Sequence, residues 1–193
     1  MTLPTSSNSR ADEGVLTIPI NERDHTQGTF DAPLTLVEYG DFECPACREV
    51  YPVIRTVQQA LRGRLCFAFR HFPLTNVHAH SEHAAEAAEA SAEQGHFWEM
   101  HDILFEHQGA LEDGDLTRYA LELGLDALRL TREVMAMTYA SRVREDFMGG
   151  VRSGVNGTPA FFMNGMRYDG PRDPDAMIGA LTELGRPLYS RFP

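Results

Sequence analysis

The sequence predicts an α/β fold in which a run of helices separates two parts that contain strands. The first part carries apolar strand patterns at Leu34–Tyr39 and Arg64–Arg70, with helical spacing of apolar residues over Arg48–Leu61 between them. From His78 to Val151 the apolar period is helical, and a strand pattern returns at Ala160–Met163. With 193 residues and 42% hydrophobic content, the chain can bury one core, so a single domain with an insertion accounts for this order.

The two ends of the predicted fold follow from composition and turn signals. Residues 1–13 are polar and predict a flexible tail, and Gly14–Ile18 predicts a short edge strand. After the last long strand pattern, Asn164-Gly165 is a strong hairpin signal that leads into a strand at Met166–Tyr168. A helix is expected from about Asp173 to Leu184.

Domain boundaries are expected where the apolar period changes. We predict that residues 14–74 and 154–190 form the core and that residues 75–153 form an inserted, all-helical subdomain. Within the insertion we expect one helix at 78–94, a second at 96–107 and two or three more after them.

Three side-chain patterns in the helical region are interpreted as structural. Acidic residues recur every three or four positions at Glu82, Glu86, Glu89 and Glu93. Such a repeat usually marks a solvated helix face.

Two further patterns in this region are also interpreted as structural. Aromatic and apolar residues form a stripe at helical spacing, at Phe97, His101, Leu104 and Phe105. Such a stripe usually belongs to a core. Three neighbouring histidines are His78, His80 and His83. Only two of them share a helix face, so solvent exposure is expected rather than metal binding.

Two cysteines lie where strand gives way to helix, in the segment Cys44-Pro45-Ala46-Cys47. A cysteine at a helix N-terminus faces unpaired backbone N–H groups and the positive end of the helix dipole, and both stabilise a thiolate. Cys44 is therefore the predicted nucleophile, and Pro45 suits the first helical turn. Cys47, one turn further on, is the predicted buried thiol that resolves a mixed disulfide.

A zinc site is the alternative interpretation of the same cysteine spacing. Such a site needs a second pair of ligands, and Cys66 is the only other cysteine, so histidines with no conventional spacing would have to complete it. Cys66 itself lies in a predicted strand, where a lone thiol usually acts as a small buried hydrophobe. We therefore expect no metal at this site.

Glu38 is an acid inside an otherwise apolar strand, six residues before Cys44. By strand alternation it shares a face with Leu34 and Leu36, which predicts burial, although an exposed edge position is the alternative. A buried carboxyl beneath the cysteines would have a raised pKa and could move protons for Cys47.

A second motif, Gly157-Thr158-Pro159, comes directly before the strand pattern Ala160–Met163. A proline at the start of a strand is either a simple loop terminator or a cis residue that shapes a tight turn. By itself this motif does not separate the two possibilities.

Together, the segments Val37–Cys47 and Gly157–Phe162 resemble the DsbA-like family of thioredoxin-fold thiol-disulfide oxidoreductases. The resemblance covers roughly residues 15–185. It is greatest to members without export signals, including the soluble domains fused to some bacterial sodium/proton antiporters, which share the runs Phe69–Leu74 and Phe97–Asp102. The resemblance implies a thioredoxin fold with an inserted all-helical subdomain.

The resemblance also implies roles for individual residues. The catalytic residues would be Cys44, Cys47 and Glu38. The substrate-binding residues would be Thr158, Pro159, Pro45 and Ala46, with Pro159 in the cis form opposite the cysteines and Thr158 offering backbone groups to a bound peptide. The strongly oxidising member of the family has a histidine where this chain has an alanine, so strong oxidase behaviour is not expected.

Charge and targeting signals narrow the function further. Seventeen Lys and Arg against 28 Asp and Glu give a formal net charge of −11, which argues against nonspecific binding of nucleic acid or anionic membranes. The N-terminus carries no secretory signal pattern and no later stretch could span a bilayer, so we expect a cytoplasmic protein. In that compartment a vicinal cysteine pair is more often catalytic than structural.

The sequence therefore predicts a cytoplasmic thiol-disulfide oxidoreductase that cycles the Cys44/Cys47 pair through mixed disulfides at Cys44. Its substrates would be protein or low-molecular-weight disulfides, its recycling reductant or oxidant is not identified, and it needs no metal or organic cofactor. Two alternatives stay open, a nonredox thioredoxin-like binding module and a metal-binding protein that uses the two thiols. Oxidase, reductase and isomerase share these residues, so the pattern does not fix the direction of electron flow.

Overall fold

A computed structural model describes residues 14–185, which form one five-stranded sheet surrounded by helices. The strands are β1 (His25–Gln27), β2 (Leu34–Gly40), β3 (Leu65–His71), β4 (Ala160–Met163) and β5 (Met166–Tyr168). The helices are α1 (Pro45–Ala60), α2 (Ser81–Ala92), α3 (Phe97–Glu106), α4 (Asp113–Glu122), α5 (Ala127–Met135), α6 (Ala140–Arg152) and α7 (Pro174–Leu184). The tail expected at residues 1–13 and the end of the core expected at 186–190 lie outside the described residues.

The sheet has the strand order β1-β3-β2-β4-β5. The central strands β2 and β3 are parallel, and α1 connects them, as the strand-helix-strand pattern predicts. β4 pairs antiparallel with β2, and β5 pairs antiparallel with β4 across the predicted turn at Asn164-Gly165. Both turn residues have positive φ angles, 47° and 79°, which explains why asparagine and glycine stand there.

One edge of the sheet differs from the prediction. The expected strand at Gly14–Ile18 is wrong, because only Val15 forms an isolated bridge, to Met166. Two backbone hydrogen bonds flank this bridge, from the N–H of Leu16 to the carbonyl oxygen of Gly165 at 2.8 Å and from the N–H of Arg167 to that of Gly14 at 2.7 Å. The pairing stops there, because the backbone N–H of Thr17 donates to the hydroxyl of Ser153 at 3.0 Å. The opposite edge strand, β1, was not predicted.

The two faces of β2 contact different parts of the core. Leu34 and Leu36 lie in the larger hydrophobic cluster together with residues of α1, whereas Val37 and Tyr39 lie in a smaller cluster on the other face. Glu38 alternates with the first pair and is only 4% exposed. The predicted burial of this acid is confirmed.

Helices α2 to α6 all lie between β3 and β4 in the chain, where the helical pattern predicts them. α2 contacts α3, α5 and α6 and is covered on several sides. For this reason the predicted solvated acidic face is wrong for Glu86 and Glu89, which are buried, while Glu93 is exposed. The aromatic stripe of α3 is buried as predicted, and so is Cys66.

The three neighbouring histidines each lie beside a carboxylate. His78 Nδ1 is 2.7 Å from Asp41 Oδ2, and His80 Nδ1 is 2.9 Å from Glu43 Oε1. His83 pairs with an acid of α4 in the same manner. The side chain of His78 is only 17% exposed, so the prediction of solvent exposure holds for the other two histidines alone.

Candidate active site

Cys44 directly precedes the first turn of α1, as the sequence predicts. Its carbonyl oxygen accepts hydrogen bonds from the backbone N–H groups of Cys47 at 3.0 Å and Arg48 at 3.2 Å. Pro45 lies in the first turn, where it is exposed, and Ala46 is half-buried. Cys47 is fully buried one residue later, and both cysteines are free thiols. Cys44 is also buried, at 6% exposure, so the helix start holds both sulfurs below the surface, with Cys47 the deeper of the two at 0%.

The two thiols have opposite acidities. The pKa of Cys44 is lowered to about 5, chiefly because the side chain of Cys47 hydrogen-bonds to its sulfur, with further support from Thr158 and from the N–H groups that start the helix. The pKa of Cys47 is raised well above its ordinary value by burial, and the neighbouring Cys44 and Glu38 act in the same direction. At neutral pH the pair therefore consists of one thiolate and one thiol.

Glu38 is electrostatically coupled to both sulfurs. Its pKa is raised to about 8, mainly by burial, and the nearby charge of Cys44 contributes in the same direction. The guanidinium of Arg172 opposes this rise. A carboxyl with such a pKa is mostly protonated at neutral pH and can exchange its proton in the range where enzymes work.

The Thr158-Pro159 loop lies against Cys44. Cys44 Sγ is 3.4 Å from the carbonyl oxygen of Thr158, and the peptide bond between Thr158 and Pro159 is cis. Arg172 donates a hydrogen bond to the carbonyl oxygen of Pro159 at 3.1 Å. Arg172 thus holds the proline loop and also lowers the pKa of Glu38. No sequence pattern indicates either role.

Two polar residues that the sequence analysis did not select hold the segment before the helix. Asp41 accepts hydrogen bonds from the backbone N–H groups of Glu43 at 2.9 Å and Leu74 at 2.8 Å. The side-chain amide of Gln108 donates to the carbonyl oxygens of Phe42 and Cys44, both at 2.8 Å. The contact between Asp41 and Glu43 is local, but the contacts of Asp41 with Leu74 and of Gln108 with the helix start join residues far apart in the chain, so local patterns could not reveal them.

A cavity of about 160 Å³ extends to Glu38 between α1 and α3. Its polar lining includes Gln27, Glu38, Tyr51, Arg55, Gln58, His101 and Asp102. His101 Nε2 is buried and has no hydrogen-bond partner within the described residues, while Arg55 is largely exposed. The cavity therefore connects the buried carboxyl with groups that reach solvent.

Comparison with known proteins gives a consistent picture. The family model described as thioredoxin matches residues 20–183. The chain is 43% identical over 187 residues to a protein named Na(+)/H(+) antiporter NhaA 1 from Salinispora arenicola, and the match covers 93% of this chain but 28% of that protein. A similar antiporter from Mycobacterium sp. (strain KMS) is 45% identical, and the match covers 86% of this chain and 27% of that protein. No helix within residues 14–185 is long and apolar enough to cross a membrane.

Solved structures support the same fold. BdbD from Bacillus subtilis in its oxidised form matches with a TM-score of 0.80 and 24% identity, over 90% of this chain and 98% of that one. The thiol-disulfide exchange protein alpha-DsbA2 from Wolbachia pipientis matches with a TM-score of 0.71 and 19% identity, over 85% and 88%. Both likenesses confirm the predicted thioredoxin fold with helices inserted between its halves, as in DsbA-like proteins. Since the family model covers most of its length, the chain belongs to the thioredoxin family.

Proposed function

We propose that this chain is a thiol-disulfide oxidoreductase that works through the Cys44/Cys47 pair. The observation that carries the proposal is the placement of two thiols in one helical turn, with Cys44 at the start of α1, 3.4 Å from the carbonyl oxygen of Thr158, and Cys47 fully buried beside it. This placement lowers the pKa of the first thiol to about 5 and raises the pKa of the second well above its usual value. The first is a thiolate at neutral pH and can attack a disulfide, and the second stays protonated until it is needed.

In the first step, the Cys44 thiolate attacks one sulfur of a substrate disulfide. A bond forms between Cys44 Sγ and that sulfur, the substrate S–S bond breaks, and the other substrate sulfur leaves as a thiolate. The exposed Pro45 and the half-buried Ala46 and Thr158 leave room for a partner beside the reacting sulfur. We propose that Pro45, Ala46, Thr158 and Pro159 contact the substrate.

In the second step, Cys47 resolves the mixed disulfide. Its thiol passes a proton to the carboxylate of Glu38, its sulfur attacks Cys44 Sγ, and the bond between Cys44 and the substrate breaks, so that the substrate leaves as a thiolate. The pKa of about 8 makes Glu38 a strong enough base for this transfer, and the cavity beside it offers the proton a route to solvent. The products are an oxidised cysteine pair and a reduced substrate.

The reverse sequence oxidises a substrate dithiol, so the reduction potential sets the direction. A lowered pKa of the nucleophile stabilises the reduced form and raises the potential. Thioredoxin combines a thiol pKa of about 7 with a potential near −270 mV, and DsbA combines about 3.5 with about −120 mV. A pKa of about 5 favours a potential between these two values.

The wider setting is part of the same proposal. We propose that residues 14–74 and 154–190 form the redox core, that residues 75–153 form the helical subdomain, and that protein or low-molecular-weight thiols are the substrates. We also propose a cytoplasmic site of action, where glutathione and thioredoxin systems keep structural thiols reduced, and where a reductant or oxidant that is not identified recycles the pair.

The deciding experiment is a redox titration of the full chain in glutathione buffers of graded ratio, with free thiols quantified by alkylation. We expect two thiols to titrate together between about −270 and −120 mV. A Cys66→Ser variant is the matched control and keeps the same midpoint, because Cys66 lies apart from the pair. The proposal is wrong if no pair of thiols titrates, or if Cys44→Ser leaves disulfide exchange with a model substrate unchanged.

A further inference from the structure

Two histidines of neighbouring strands point to the same side of the sheet. His25 of β1 pairs with Phe69 of β3 in antiparallel register, and His71 is the last residue of β3. His71 is therefore the diagonal neighbour of His25, two residues along from its direct partner and on the same face. Long side chains at such diagonal positions can reach each other.

A buried acid of α2 completes the cluster. Glu89 Oε1 lies 2.9 Å from His71 Nε2 and 3.0 Å from His25 Nε2. The three nitrogen and oxygen atoms all lie within 4.8 Å of one another. Three elements that are distant in sequence, β1, β3 and α2, thus bring two imidazoles and one carboxylate together. By itself, the acidic repeat of α2 predicts a solvated position for Glu89.

The two imidazole rings are held in fixed orientations. The ring of Phe97 stacks on His25 with a centroid distance of 3.5 Å and meets His71 edge-on at 5.9 Å. His71 is 1% exposed, whereas the side chain of His25 is 19% exposed and borders an open cleft of about 740 Å³ that Glu89 also lines. The cluster is therefore rigid on one side and accessible from solvent on the other.

The nearby arginines each have another carboxylate as their main partner. Arg70 makes two hydrogen bonds to Asp24, at 2.7 and 2.9 Å, and Arg142 pairs with Asp146. Arg142 approaches Glu89 Oε1 only to 3.9 Å, which is too long for a hydrogen bond. The close partners of Glu89 Oε1 are thus the two imidazole nitrogens, which can also act as metal ligands.

We propose that His25, His71 and Glu89 bind a divalent transition-metal ion, with Zn²⁺ as the preferred ion. Imidazole nitrogens and a carboxylate oxygen suit this class of metal, and three protein ligands leave a fourth position that the cleft opens to water or another ligand. Ligand atoms about 2.0–2.1 Å from one tetrahedral Zn²⁺ ion lie roughly 3.3–3.4 Å apart, so each of the two separations from Glu89 would lengthen by about 0.4 Å. The site uses no cysteine and is separate from the thiol pair.

The test is a titration of the full chain with Zn²⁺ and, in parallel, with Co²⁺, whose absorption spectrum reports the ligands. The protein carries Cys44→Ser and Cys47→Ser, so that the vicinal thiols cannot bind the ion. We expect one ion per chain, a Co²⁺ spectrum without thiolate bands, and an increase in melting temperature on adding Zn²⁺.

Three variants assign the ligands. His25→Gln, His71→Gln and Glu89→Gln should each weaken Zn²⁺ binding at least about tenfold, since each removes one of three ligands. The control variant His83→Gln alters a histidine outside the cluster. It should bind Zn²⁺ with unchanged affinity. Because His25 is partly exposed, its variant is expected to fold even if a variant of His71 does not.

The outcomes are distinct from those of the redox proposal. The metal site would be overturned if Zn²⁺ does not bind stoichiometrically. It would also be overturned if the His25→Gln and Glu89→Gln variants bind Zn²⁺ as tightly as the protein without these substitutions. Neither result affects the thiol pair, because the titrated protein lacks it and the redox midpoint is measured on the wild-type chain.

Discussion

The sulfur of Cys44 lies 3.4 Å from the carbonyl oxygen of Thr158, although the two residues are 114 positions apart in the chain. This contact brings the start of α1 and the loop before β4 to one point at the end of the sheet. Around it, burial, helix-start N–H groups and a second thiol set the acidity of the nucleophile.

The first prediction concerns the titration of Cys44. In the reduced protein, its rate of alkylation should rise with pH around a midpoint of about 5, because the thiolate is the reactive form. Cys47→Ala removes the largest stabilising hydrogen bond and should move the midpoint toward the ordinary cysteine value of about 8.5. Alkylation followed by mass spectrometry measures both proteins. A wild-type midpoint near 8.5 would contradict the assignment, and Cys66→Ser serves as the unaffected control.

The second prediction concerns trapping of partners. Cys47→Ser keeps the nucleophile but removes the resolving thiol, so mixed disulfides at Cys44 should accumulate in cells that express it. Nonreducing electrophoresis should reveal them as bands that disappear on reduction. The double variant Cys44→Ser/Cys47→Ser should give none. Equal bands from the double variant would assign the trapping to another residue.

The third prediction separates the two chemical steps. Glu38→Gln should slow release of the substrate from the mixed disulfide about 100-fold, because Cys47 loses its proton acceptor. The initial attack by Cys44 should change little. In the wild-type protein, the release rate should also rise with pH through about 8 as Glu38 ionises, and the variant should lose this inflection. Single-turnover measurements from pH 6 to about 9.5 would show both effects, and equal slowing of both steps would contradict the proposed role.

The fourth prediction concerns stability. The pKa of Glu38 is about 8 in the folded state and 4.5 as its ordinary value, so the folded state retains a proton that the unfolded chain loses. Below pH 4.5 the carboxyl of Glu38 is protonated in both states and does not destabilise the fold. As pH rises from 4.5 toward 8, the free energy of unfolding falls. Glu38→Gln should raise the free energy of unfolding at pH 7 by roughly 2–4 kcal/mol.

Urea unfolding at pH 4.5 and pH 7 tests this effect. The gain should be present at the higher pH and largely absent at the lower one, because the carboxyl is then protonated in both states. If Glu38→Gln raises the free energy of unfolding equally at both pH values, then altered packing, and not ionisation of Glu38, explains the effect.

The fifth prediction uses two neighbouring glycines of α6. A Cβ atom at Gly150 would lie 2.8 Å from ring carbons of Phe72 and 3.0 Å from Tyr39, whereas at Gly149 the nearest atom, the hydroxyl of Tyr39, would be 3.4 Å away. Gly150→Ala should lower the free energy of unfolding by about 1–3 kcal/mol through overpacking. Gly149→Ala should be neutral or slightly stabilising, because alanine favours helix. The redox midpoint should stay the same in both, and equal stability of the two variants would contradict the close packing.

The parts of the fold with strong local patterns could be predicted from sequence. The strand Ala160–Met163 and the strand Met166–Tyr168 have the predicted bounds because the turn between them needs two residues with positive φ, and the sequence supplies Asn164 and Gly165. The strand alternation around Glu38 likewise predicted its burial.

The parts that depend on contacts between distant elements could not be predicted. Glu89 belongs to an acidic repeat typical of a surface, and only the packing of α2 against several other helices shows that it is buried. Gln108 holds one loop of the site through two hydrogen bonds to backbone carbonyl groups, and Arg172 holds the other through one. Such contacts produce no periodic pattern in the sequence. Hydrogen bonds of this kind become visible only in the folded structure.

The two hydrogen bonds from Gln108 connect the helical region to the candidate active site. This side chain follows α3 and holds the carbonyl groups of Phe42 and Cys44, on either side of the turn into α1. A displacement of the helices away from the sheet would break both bonds and free the backbone that carries the nucleophile. The position of the inserted helices is thus coupled, through Gln108, to the position of Cys44.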